Sequence, residues 1–123
     1  MKIRIKGNSI RLRLTKTDVQ NLKDFGKIEE KTILSEKQIF KYTLEINTNI
    51  SEISAKFEDN TITILLSKEN ANILTETDEI TVQGSQKNGT ENGLLLLIEK
   101  DLQCLDSTNE DQTDMYKNTK TKC

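Results

Sequence analysis

The chain has 123 residues, enough for one hydrophobic core and too few for two ordinary domains, since an independent core needs on the order of 100 residues. Apolar residues supply 33% and charged residues 31%, a thin core for this length, so part of the chain is expected outside it. A net charge of −2 argues against a uniformly basic binder of nucleic acid or membrane, and the absence of histidine removes every mechanism that needs imidazole as base, triad member or metal ligand.

In chain order, Lys2-Ile3-Arg4-Ile5-Lys6 and Ile10-Arg11-Leu12-Arg13-Leu14 alternate apolar and cationic side chains about a Gly7-Asn8-Ser9 turn, which predicts a β-hairpin. Thr15-Lys16-Thr17-Asp18 has the form of a helix capping box with Asp in place of Glu. Val19 and Leu22 follow at helical spacing, and Gly26 is a stop, so a helix is expected over 16–25. Strand patterns occupy 28–34 and 39–46, with the polar Ser35-Glu36-Lys37-Gln38 link between them and a turn-rich Asn47-Thr48-Asn49 joint after.

The same order of signals then recurs. Residues 5–22 align without a gap on 57–74: Asn8 with Asn60, Ile10 with Ile62, Leu14 with Leu66, Lys16 with Lys68 and Leu22 with Leu74 are identical. Turn, inward strand positions, cap and helix anchor all coincide, which is the mark of a tandem duplication. The second copy is expected as strands near 53–58 and 61–66, a helix over 68–75, and strands at 79–83 and 94–102. Gly84 to Asn92 is its longest loop, rich in Gly, Ser, Asn and Lys. Leu94 to Ile98 is an unbroken apolar run, expected as a central strand covered on both faces. From Leu105 onward only Met115 and Tyr116 offer apolar anchorage, so 106–123 is expected to be a disordered acidic tail.

The opening segment from Met1 to Lys16, with Glu99-Lys100-Asp101-Leu102-Gln103-Cys104-Leu105 and the acidic stretch through Asp114-Met115-Tyr116, resembles a family of small bacterial proteins of unknown function. The unit from Ile5 to Leu34 also resembles the swapped-hairpin DNA-binding domains of AbrB and MazE-type regulators, with Gly7-Asn8-Ser9 as the matching turn. That resemblance implies a barrel built by exchanged hairpins, which a tandem duplication would make from one chain. The chain departs from the pattern in lacking its proline at Leu14-Thr15-Lys16 and Leu66-Ser67-Lys68, and the second copy carries Thr63 and Leu65 where the first has Arg11 and Arg13.

Charge is polarised along the chain. Lys2, Arg4, Lys6, Arg11, Arg13 and Lys16 are six cations in the first sixteen residues with no acid among them, whereas residues 17–100 hold 9 basic and 15 acidic side chains. In a hairpin the first five project from one face. Such an array binds phosphate backbone by counterion release; the commoner explanation is a solvated strand face, with Glu29 and Glu45 as the neighbouring acids. Residues 101–115 reverse the sign, with Asp101, Asp106, Glu110, Asp111 and Asp114, either as a solvated tail or as an intramolecular anion masking the hairpin.

Those carboxylates with Cys104 form a poor metal set, mixing hard and soft ligands without histidine. Cys104 reads as a small apolar side chain, and terminal Cys123 shows no sign of activation. No nucleophile has an imidazole partner and no glycine-rich loop precedes a helix. No metal, cofactor or catalytic residue is therefore expected.

The sequence thus predicts a β-dominated α+β domain over 1–105, with ββαββ units of about 1–49 and 50–105 forming a compact barrel or two-layer sheet. No apolar run approaches the length of a membrane span, and Met1-Lys2-Ile3-Arg4 lacks a signal-like apolar stretch, so the expected compartment is the cytoplasm. The expected role is non-enzymatic: the basic hairpin contacts a polyanion, nucleic acid first, with Arg4, Arg11 and Arg13 as principal contacts. The alternative is a protein-interaction module.

Overall fold

Alternating patterns become eight strands and helical spacing becomes two helices in the computed structural model, which describes residues 1–102. The order is β1 (Lys2–Lys6), β2 (Ser9–Leu14), α1 (Lys16–Phe25), β3 (Lys27–Ser35), β4 (Gln38–Ile46), β5 (Ser54–Glu58), β6 (Thr61–Leu66), α2 (Lys68–Glu76), β7 (Thr81–Gln86) and β8 (Leu94–Lys100). The expected tail over 106–123, with Cys104, Cys123 and Met115-Tyr116, lies outside the described residues.

Local chemistry explains the boundaries. The Thr15 hydroxyl accepts from the Asp18 N–H at 3.1 Å, and the Asp18 carboxylate accepts from the Thr15 N–H at 2.9 Å, closing both ends of the capping box. Gly26 ends α1 in the left-handed region at φ 75, its N–H returning to the Leu22 carbonyl at 2.8 Å. At the start of α2 the Ser67 hydroxyl accepts from the Asn70 N–H at 3.2 Å.

The eight strands make two four-stranded sheets, the first in the order β1-β2-β8-β7 and the second β3-β4-β6-β5. Each sheet joins an antiparallel hairpin from one half of the chain to a hairpin from the other, through a parallel central pair: β2 with β8, and β4 with β6. Registers in the two sheets correspond. Ser9 opposes Leu95 through to Leu14 opposite Lys100, and Lys41 opposes Thr61 through to Ile46 opposite Leu66. Junction hydrogen bonds match as well: Leu95 N–H to Asn8 O and Lys41 N–H to Asn60 O, then Asp101 N–H to Leu14 O and Asn47 N–H to Leu66 O.

The two-layer expectation holds and the barrel does not. Among the described residues no strand pairing joins β1 to β3 or β5 to β7, and the layers meet at these corners through side chains. On one side the Gln86 amide bridges the Ala55 N–H and C=O at 2.7 and 3.1 Å. On the other the Tyr42 hydroxyl donates to the Met1 carbonyl at 2.9 Å. Between the layers Ile10, Leu12, Leu14, Leu96 and Ile98 face Leu44, Ile64 and Leu66, and Leu22, Ala71 and Leu74 from the helices complete the same apolar cluster. The helices follow β2 and β6 and contact each other, so they cap one end of the sandwich. The other end, where the hairpin turns lie, is uncapped.

Two expectations need correction. β7 runs through Gly84 to Gln86, where a loop was expected, because Gly84 faces inward and a side chain there would collide with the buried Ile53. Its glycine serves packing, not a turn. β8 is central as expected, but only its inner face is covered: Leu96 and Ile98 are buried, whereas Leu95 is 46% exposed on the outer face.

Candidate polyanion-binding face

The alternation that buries Ile10, Leu12 and Leu14 turns Arg11 and Arg13 outward, and the same parity turns Lys2, Arg4 and Lys6 outward from β1. Five of the six cations singled out in the sequence therefore share the outer face of the first sheet. The sixth, Lys16, is exposed at the start of α1 and belongs to no strand of this sheet.

Across the sheet these side chains form rows. Lys2 lies opposite Arg13, which lies beside Glu99 and then Thr81; Arg4 lies opposite Arg11, beside Leu97 and then Gln83. A third row runs Lys6, Ser9, Leu95, Ser85. Both cross-strand neighbours between β1 and β2 in the first two rows thus carry like charge, an arrangement that destabilises a bare sheet by roughly 0.2–1 kcal/mol per pair.

Part of the counter-charge comes from Glu99, which the sequence had not singled out, and part from Asp101, the first acid of the stretch offered as an intramolecular anion. Glu99 on β8 approaches Arg13 Nε at 2.8 Å and Arg11 Nε at 3.8 Å, and Asp101 approaches Lys2 Nζ at 3.4 Å. The expected acids, Glu29 and Glu45, belong to the second sheet, where Glu29 pairs with Lys41 at 3.6 Å. Five cations against two carboxylates leave a surplus of three on this face. Among the described residues Arg4 and Lys6 have no carboxylate partner.

The chain belongs to a family of unknown function, DUF7009. The match spans residues 1–120, both sheets and both helices included. No curated protein and no solved structure matches the chain.

The corresponding face of the second sheet is not basic. At the positions equivalent in register to Lys2, Arg4, Lys6, Arg11 and Arg13 it carries Ser54, Lys56, Glu58, Thr63 and Leu65. Thr63 and its neighbour Thr43 are buried, so the middle of that face is small and closed over.

A second ionisable cluster sits where β1 begins. The Met1 amine lies 2.8 Å from the Asp18 carboxylate and 3.3 Å from Glu30, at a half-buried chain start. Burial opposes charge on both partners, yet their mutual hydrogen bond and attraction prevail, holding Asp18 below the usual carboxylate range and raising the amine above its ordinary value. Burial, then Glu30 and Asp18, push the Tyr42 phenol up. The capping-box pattern foretold only the bond from Asp18 to its helix; the tie to the amine and β3 is tertiary. Among the described residues no three Cys, Asp or Glu side chains gather as a metal site, and no helix is long and apolar enough to cross a membrane.

Proposed function

We propose that this protein is a non-enzymatic binding protein whose first sheet presents its outer face to a polyanion, nucleic-acid phosphate before others. The observation that supports this reading is the pair of like-charge rows, Lys2 with Arg13 and Arg4 with Arg11, left with a surplus of three charges after Glu99 and Asp101 are counted. Phosphates set between the rows would turn a repulsive arrangement into an attractive one. Ser9, Gln83 and Ser85 on the same face add uncharged hydrogen-bonding groups. Such a partner is met in the cytoplasm.

The topology supports a tandem duplication behind this face. Ser9 and Thr61 hold equivalent register positions, as do Leu95 and Lys41, and each sheet takes one hairpin from each half.

The test is anisotropy of a labelled mixed-sequence duplex and single strand titrated with the full chain. For three to five phosphate contacts, affinity should fall roughly 40- to 500-fold between about 50 and 200 mM salt. The double variant Arg4→Glu, Arg11→Glu should abolish binding while melting like the parent. Binding that survives it, or no binding at low salt, would overturn the proposal and leave protein interaction as the function.

A further inference from the structure

The β3–β4 hairpin outruns its sheet. β4 pairs with β6 only from Lys41 onward, but β3 and β4 continue to pair through Thr32 with Phe40, Ile33 with Ile39 and Ser35 with Gln38. This distal arm is a two-stranded ribbon with no third strand beside it, a unit that is marginal in water by itself. It is nonetheless apolar on both faces. Ile33 and Ile39 are 64% and 37% exposed on one face, and Leu34, beyond Phe40 on the other, is 67% exposed.

At the uncapped end of the sandwich, beside the base of this arm, lies an open apolar groove of about 330 Å³. Ile5, Ile10, Phe40, Phe57, Ile62 and Leu94 line it. They are three register-equivalent pairs, one member from each half of the chain, so the groove straddles the axis relating the halves. Its rim is exposed: Ile5 at 53% and Phe57 at 65%.

We propose that the groove receives the β3–β4 arm of a second copy of this chain, two copies exchanging arms reciprocally. One molecule carries both the apolar projection and the apolar recess. The arm extends roughly 10 Å past its own groove, at about 3.3 Å per residue, so it points away from that recess and toward a partner. Covering Ile5, Phe57 and one face of the arm removes roughly 400 Å² of apolar surface per copy and about twice that in a reciprocal pair, the scale of a weak, reversible dimer. Charge favours this occupant: Glu36 at the arm tip is opposite in sign to Lys56 in the groove lining. The inference does not rest on polyanion binding, since no cation of the basic face takes part.

The experiment is sedimentation equilibrium of the full 14.1 kDa chain. Over about 1–200 μM, the range suited to an interface of this size, the mass should rise from monomer to dimer. Leu34→Asp in the arm and Phe57→Asp in the groove should each shift the midpoint more than tenfold with an unchanged melting curve. Should either variant melt early, Leu34→Ser and Phe57→Ser replace them. A full chain that stays monomeric throughout overturns the proposal, as does a dimer untouched by the arm variant, which would mean a groove-to-groove contact.

Discussion

Glu99→Gln is the substitution that separates a docking face from a solvated one. The carboxylate sits 2.8 Å from Arg13 Nε and 3.8 Å from Arg11 Nε, with a side chain only 19% exposed, so it is the central anion of the face. Removing its charge raises the surplus from three to four and frees both guanidiniums. A phosphate about 7 Å from that carboxylate is repelled by roughly 0.6 kcal/mol at a water-like dielectric, from 332/(80 × 7), and two phosphates by about 1.2 kcal/mol. The variant should therefore bind nucleic acid roughly three- to sevenfold more tightly, since each 1.4 kcal/mol is tenfold. An extra phosphate taken up by a freed arginine steepens the salt slope by about 0.9. Folding stability should change little, because a partly exposed ion pair contributes about 0–1 kcal/mol and Gln keeps the shape. Anisotropy titration at several salt concentrations, with a urea melt beside it, measures both. A variant that folds normally yet binds no tighter than the parent refutes the assignment of this face.

Gly84→Ala should cost about 1–3 kcal/mol in a urea melt, because the added methyl meets the γ2 methyl of buried Ile53 inside the sandwich; a neutral result would mean that corner is loosely packed. Asp18→Asn should lower stability at neutral pH by about 1 kcal/mol through the weakened cap. It should also flatten the pH profile. The depressed Asp18 value means its contribution is present above 3.8 and lost as pH falls through the folded value; the raised amine value means its contribution is whole below 8.0 and lost as pH rises through the folded value. Chemical denaturation from acid to alkaline pH checks both limbs, which the variant should lose together.

What could be read from the sequence was what neighbours in the chain decide. The first helix was expected at 16–25 and is found at Lys16–Phe25, because Thr15, Asp18 and Gly26 define its ends locally. The basic hairpin followed from alternation alone. What was missed depends on distant partners. β7 was expected to stop at residue 83 because Gly84-Ser85 reads as a turn; the strand continues because Ile53, from the joint before β5, fills the place of the missing side chain. Glu99 was not seen as the counter-ion because its contact with Arg13 arises from a parallel pairing of strands 86 residues apart. No spacing rule within one hairpin reaches that far.

The two halves differ where packing does not constrain them. Inward positions keep their character, with Ile10, Leu12 and Leu14 answered by Ile62, Ile64 and Leu66, because both sheets fill one apolar interior. Outward positions diverge, and Arg11 and Arg13 are answered by Thr63 and Leu65. Nothing in the core asks for that change, since either set leaves the inner face untouched. The second sheet closes over small Thr43 and Thr63, while the first carries long cations around Glu99. Under the proposed polyanion binding, the ligand is engaged from the first sheet only, with the second sheet serving as the rigid backing that holds the cation rows in register.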